Sequence, residues 1–236
     1  MFERPHHRRI AQILAALDAQ LLRDRHCLFG GGTAMALRYG EYRESVDIDF
    51  LVSDVASYRE LRQLLNGPAG IQALLRPGAQ PLMQTREIRA DQYGIRTQVL
   101  VEGQPIKFEI VLEARISLAP PQAEDEICGI ATLTPLDMMA SKLLANSDRW
   151  RDDGVFSRDL IDLAMMQPGR KPLLAAIDKA ATAYGPAIEQ DLGKAIASMK
   201  DRHGWLERCL QAMAMNQPKA LVWQRIRSLG KRSERR

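Results

Sequence analysis

Phe29-Gly30-Gly31-Gly32-Thr33-Ala-Met-Ala-Leu-Arg38-Tyr-Gly-Glu-Tyr-Arg43-Glu-Ser45-Val46-Asp47-Ile48-Asp49-Phe50 is the stretch whose reading decides the fold. Its end alternates. Val46, Ile48, Phe50 and Val52 fall on one side, and Asp47, Asp49 and Leu51 on the other. That is the period of a half-buried β-strand over 46–52. Asp47 and Asp49 then point the same way, with Cα atoms about 6.5 Å apart. Two carboxylates side by side repel, and a cation between them relieves the repulsion. Hard oxygen donors with open positions suit Mg²⁺, which usually binds through one or two carboxylates plus substrate phosphates. Two such ions about 3.5–4 Å apart can clamp an in-line phosphoryl displacement.

The beginning of the stretch is a different device. Cys27 to Phe29 reads as a short strand, and Thr33 to Tyr39 as a short helix stopped by Gly40. Between them Gly30-Gly31-Gly32 opens a strand-to-helix turn. Such a turn exposes backbone N–H groups at a helix N-terminus, and the missing Cβ atoms let a phosphate come close. It is not a P-loop, since no Gly-Lys-Ser/Thr follows, and no GxGxxG fingerprint is present. Alone, the glycines could be an ordinary turn and the aspartates a solvated strand face. Together they form one constellation: an anion cradle followed by paired carboxylates.

Outward from this stretch the chain divides near Leu133. Before it, an amphipathic helix is expected over 8–23 from Ile10, Ile13, Leu14, Leu17 and Leu21, and another over 55–65 behind a capping Asp54. Three strands over 80–89, 95–101 and 105–112 are joined by hairpin-like connections at Tyr93-Gly94 and Glu102-Gly103-Gln104, and a last strand spans 127–133. After it only helices are expected, at about 135–148, 155–166, 171–183, 186–201, 203–214 and 217–229. The fold class is therefore α+β, and the domains are an α/β core over 1–133 and an all-helical half over 134–236 with a basic C-terminal tail.

Composition bounds the possibilities. At 236 residues, 46% hydrophobic and 26% charged, the chain is globular and long enough for a real core. Neither a disordered chain, a collagen nor a coiled-coil rod fits. No apolar run reaches the roughly 18 residues of a membrane span, and the basic start is followed by an amphipathic pattern broken by Asp18, so no membrane and a cytoplasmic location are expected. Cys27, Cys128 and Cys209 are scattered and form no CxxC pair, which argues against a zinc or disulfide framework. Adjacent His6 and His7 do not converge as metal ligands. The net charge of +4 is uneven: Arg225, Arg227, Lys231, Arg232, Arg235 and Arg236 face Glu234 alone, giving +5 over the last sixteen residues and −1 over the rest. Arg4, Arg8 and Arg9 add a second basic cluster. Either end could attract a phosphate backbone or simply be solvated.

Gly31-Gly32-Thr33, Arg43, Ser45 and Asp47-Ile48-Asp49 together resemble the signature of the nucleotidyltransferase AbiEii/AbiGii toxin family, within the polymerase-β-like nucleotidyltransferase superfamily. The likeness continues in Leu133-Thr-Pro-Leu-Asp-Met-Met-Ala-Ser-Lys142 and in Arg158-Asp159-Leu-Ile-Asp162-Leu163, and spans about residues 28–165. It implies a polymerase-β-like nucleotidyltransferase core with a mixed sheet, and a Mg²⁺-dependent enzyme that moves an NMP from an NTP to an acceptor hydroxyl. Asp47 and Asp49 would be catalytic metal ligands, and Gly31, Gly32 and Thr33 would hold the phosphates. Lys142 would reach the triphosphate, with Asp159 orienting it or an attacking group. From the pattern alone, Lys142 reads as an ordinary surface lysine, and Asp159, at the inward edge of its helix, equally as a site residue or as a partner for a nearby arginine. The superfamily's third carboxylate would be Glu109, which reads equally as half of a cross-strand ion pair, with Glu113 as the alternative. The resemblance also implies a toxin–antitoxin setting with a cognate antitoxin, and a tRNA or other RNA acceptor, which the basic ends would suit. A small-molecule (antibiotic-type) or protein acceptor uses the same chemistry. A non-catalytic nucleotide- or RNA-binding module is the reading from another class.

Overall fold

The computed structural model describes residues 2–233. Contacts divide them into two compact units. One holds the chain up to Glu41 and again Ser45–Thr134. The other holds Tyr42–Glu44 and everything from Pro135 onward.

The first unit is built on a five-stranded mixed sheet. Its strands are β1 (Leu28–Gly30), β2 (Ile48–Val52), β3 (Met83–Ala90), β4 (Gly94–Val101) and β5 (Gln104–Leu112), in the order β1-β2-β5-β4-β3. Only β2 and β5 run parallel. Alternation fixes the faces. Ile48, Phe50, Ile106, Phe108 and Ile110 are fully or almost fully buried, and Phe29, Phe50 and Phe108 form a row with ring centroids 5.6 and 5.4 Å apart. Asp49, Glu109, Lys107 and Arg96 occupy the opposite face by register. Helices α1 (Pro5–Ala16), α2 (Ala19–Asp24), α3 (Gly31–Arg38) and α4 (Val55–Leu65) complete this unit.

Three expectations are corrected here. The helix over 8–23 is two helices. Leu17 leaves helical geometry to bridge Leu75, and Asp18 caps α2 by accepting from the Leu21 N–H at 3.0 Å. The strand expected over 46–52 starts at Ile48, and Val46 is 49% exposed instead of core. The strand expected over 127–133 is a small hairpin, β6 (Glu126–Ile127) with β7 (Ile130–Ala131). Cys128 and Gly129 turn it with φ of 54° and 79°, the paired positive values of a tight hairpin turn.

The second unit is helical: α5 (Pro135–Arg149), α6 (Arg158–Met166), α7 (Arg170–Tyr184), α8 (Ala187–Asp201), α9 (Trp205–Ala212) and α10 (Lys219–Ser233). Helix α5 packs on α6, α7 and α8 and is buried over more than one face. Helix α6 starts later than its apolar pattern suggests, because Phe156 and Ser157 take left-handed backbone (φ 52° and 49°). Phe156 stacks instead on Trp205. The described part of the basic C-terminal segment forms the end of α10. Arg225 bonds the Met165 sulfur and Arg232 donates to the Pro168 carbonyl. Glu234, Arg235 and Arg236 of the expected tail lie outside the described residues. Among the described residues, no helix is long and apolar enough to cross a membrane.

Candidate active site

The glycine turn and the paired aspartates meet within the first unit. Gly31 opens α3 with φ +65°, and a Cβ there would lie 2.8 Å from Asp49 Cβ, 2.9 Å from its Cγ and closer still to Oδ2. The Asp49 carboxylate thus lies over the first turn of α3, where backbone N–H groups are free of intrahelical partners. Register explains the approach: Gly30 of β1 is paired with Asp49 of β2. Asp47 precedes the strand and is half-buried. Thr33 is buried, and its hydroxyl donates to the Asp47 carbonyl at 2.5 Å and lies 2.8 Å from the Ser45 hydroxyl. Its side chain therefore ties α3 to the segment carrying Asp47.

Sequence reasoning missed the support for that segment. His6 Nε2 donates to the Val46 carbonyl at 2.9 Å. His7 is fully buried; its Nε2 accepts the Ser45 N–H at 3.2 Å, so its Nδ1 carries the proton and donates to Glu41 at 2.8 Å. Burial lowers the His7 pKa despite the opposing pull of Glu41. Neutral His7 satisfies both neighbours. The adjacent histidines are struts, not ligands, and only a tertiary arrangement could reveal that.

Glu109 is register partner to both Asp49 on β2 and Arg96 on β4. Its carboxylate accepts from Arg96 Nε and from Lys107 Nζ, both at 2.5 Å. The cross-strand ion pair is thus present. Glu113, the alternative, is buried and held by Arg115, whose Nε and Nη2 donate to it at 2.9 and 2.7 Å. Among the described residues no three His, Cys, Asp or Glu side chains are gathered as a metal site. Donor chemistry nonetheless fits Mg²⁺ at Asp47 and Asp49, two hard carboxylates beside a glycine cradle. Glu109 fits less well, since a metal would compete there with two cations.

Lys142, Asp159 and Asp162 come together in the second unit. Lys142 is 6% exposed, against the surface position its helical pattern suggests. Its Nζ lies 3.0 Å from Asp159 and 2.7 Å from Asp162. Arg149 makes a two-point pair with Asp159 at 2.7 and 3.0 Å. Arg43 does the same to Asp162 at 2.7 and 3.0 Å, and the Tyr42 hydroxyl adds a bond of 2.6 Å. Burial alone would raise the Asp162 pKa, but Arg43 and Lys142 outweigh it and hold the carboxyl far below its usual range. Burial likewise opposes charge on Lys142, and the two aspartates overcome it, so its pKa is raised. Asp162, to which the sequence reading gives no role, is the hub of this cluster. The signal was available: Asp159 and Asp162 are three apart on one helix and therefore neighbours.

Two solved structures from Helicobacter pylori share the fold. JHP933 aligns with a TM-score of 0.58 at 17% identity, over 99% of this chain and 92% of that one. A candidate nucleotidyltransferase aligns at 0.55 and 17%, over 97% and 91%. No curated protein matches. The model of the family described as nucleotidyl transferase AbiEii toxin, type IV toxin–antitoxin system, matches residues 12–225. With nearly its whole length so matched, the chain belongs to the AbiEii nucleotidyl transferase toxin family and is a nucleotidyltransferase.

Proposed function

We propose that this enzyme transfers an NMP from an NTP to an acceptor hydroxyl, with tRNA or another RNA as acceptor, as the toxin of a pair whose antitoxin is its protein partner. The observation that carries the reading is the Asp49 carboxylate held over Gly31 at the start of α3. It puts carboxylate oxygens beside an anion cradle, so a triphosphate bound in that cradle would face the carboxylate, and a divalent cation between the two would offset their repulsion.

Asp47 and Asp49 would hold Mg²⁺, with Glu109 joining only if Arg96 and Lys107 release it. Bound there, the ion would neutralise charge on the triphosphate and on the attacking oxygen. Backbone N–H groups at Gly31 and Gly32 would hold the β- and γ-phosphates, while Thr33 keeps the Asp47 segment in register. Lys142 is the cation the helical unit would contribute to nucleotide binding, kept charged by Asp159. The acceptor oxygen attacks the α-phosphorus, the bond from that phosphorus to the bridging oxygen breaks, and pyrophosphate leaves. A carboxylate oxygen of Asp49 would take the hydroxyl proton. Catalysis is then mainly positioning and charge neutralisation.

The test is transfer of label from each of the four α-³²P-NTPs, with Mg²⁺, to total RNA and to protein, with Asp49→Ala alongside. Label on RNA that vanishes in the variant is the expected result. Label on protein alone would replace the acceptor, and no label with any acceptor would overturn the reading.

A further inference from the structure

Lys107 and Arg96 sit on the Asp49 face of the sheet, and that face continues outward as a basic surface. An open depression of about 510 Å³ is lined by Arg86, Glu87, Arg89, Arg96, Thr97 and Lys107. Four of the six are cations and one is an acid. Pairing places Arg89 opposite Arg96, Arg96 opposite Glu109, and Glu109 opposite Asp49. One row therefore runs from the carboxylate of the candidate active site across three strand spacings, about 14 Å, to Arg89.

A backbone irregularity builds this row. Arg86 and Arg89 are three residues apart, which in a regular strand would put them on opposite faces. The register shift between them brings Arg86 opposite Gln98 and Arg89 opposite Arg96, both on the Glu109 face. Bulges of this kind re-aim side chains and are frequent next to active sites. Arg86 and Arg89 are exposed and enter no ion pair among the described residues. By contrast Arg96 and Lys107 are already engaged by Glu109. Beyond Arg89, at the tip of the β3–β4 hairpin, Tyr93 is 66% exposed, a ring on which a base could stack.

We infer that the β3–β5 face is the docking surface for the acceptor: a single-stranded RNA end whose backbone phosphates lie on Arg86 and Arg89 and whose terminal hydroxyl is thereby delivered toward Asp49. This rests on the proposed transfer to an acceptor hydroxyl. Charge complementarity selects the occupant. Unpaired guanidiniums in a row recognise successive phosphates, and a polyanion that also ends in a hydroxyl is a nucleic-acid strand, which the proposed transfer makes RNA. The contacts are to phosphate, so they position the strand without reading its sequence.

The experiment measures binding of a short fluorescent single-stranded RNA without nucleotide, across a salt series, for wild type and the double variant Arg86→Glu/Arg89→Glu. Lys171→Glu/Lys200→Glu, exposed on the helical unit, is the control with the same change in net charge. The expected result is at least a tenfold loss of affinity in the first variant only. Its log–log salt slope should also fall by about 1.4, two phosphate contacts at roughly 0.7 each. Label transfer should show a raised KM for RNA with an unchanged KM for NTP. Equal affinity and slope in wild type and variant would overturn the inference. So would a variant that keeps RNA but loses poly-glutamate, which would mark the face as an acidic-protein site. If wild type transfers no label to any acceptor while RNA binding still depends on Arg86 and Arg89, the transferase reading fails and the surface stands.

Discussion

An alanine at Gly31 would push a methyl group into the Asp49 side chain, and its φ of +65° is one that residues with a Cβ rarely adopt. Either the carboxylate or the turn must move. Because a misplacement of about 1 Å can cost on the order of a hundredfold in rate, Gly31→Ala should reduce label transfer about 10²-fold. The backbone strain should cost roughly 1–3 kcal/mol. A variant retaining more than a tenth of wild-type transfer would show that the close approach is not needed. Thr33→Val probes a different dependency at the same scale. It removes the hydroxyl that holds the Asp47 carbonyl, and should cost about 1 kcal/mol of stability, read by urea denaturation. The glycines and aspartates were readable because their chemistry is local. That Thr33 faces inward, and that His7 braces Ser45, depends on partners that sequence spacing cannot supply.

Helices α5 and α6 are linked by a chain of alternating charges, Arg43, Asp162, Lys142, Asp159 and Arg149, buried at all but its Arg149 end. Breaking such a chain at its most buried member leaves uncompensated charge. Asp162→Ala should therefore destabilise the protein by about 3–5 kcal/mol. Arg149 is 39% exposed on its side chain, and Asp159 would keep Lys142 without it, so Arg149→Met should cost about 1 kcal/mol or less. Urea midpoints for the two variants test the contrast, and equal losses would contradict the burial argument. Element existence was legible throughout because 3.6- and 2-residue periods differ plainly. Pairing was not. Alternation gives β2 and β5 a buried face each, yet nothing in it specifies that they lie side by side and parallel. The first helix was read as continuous because Leu17 fits a helical stripe; its bridge to Leu75 won over that local preference.

Across the molecule, the histidine strut and the aspartate hub load stability onto separate pH windows. His7 has a folded pKa below the ordinary 6.5 because burial disfavours its charged form. The unfolded chain then binds more protons than the folded one as pH falls below about 6.5, so stability declines in that direction. The physical event is loss of the Nε2 acceptor for the Ser45 N–H once the ring is protonated. Asp159 and Asp162 also have depressed pKa values, burial in both being outweighed by their cations. Their contribution is intact above the ordinary 3.8 and is lost only at more acid pH. Thermal melts followed by circular dichroism should thus show a decline beginning near pH 6.5, well before the carboxylates titrate. His7→Gln should melt lower than wild type at pH 8, having lost the fitted imidazole, and should show a flatter dependence between pH 6.5 and 5. A wild-type Tm constant over that interval would exclude His7 as the titrating strut. Because His7 braces the segment leading to Asp47, label transfer should fall on the same acid limb, and His7→Gln should shift that limb while Asp162→Asn leaves its position unchanged.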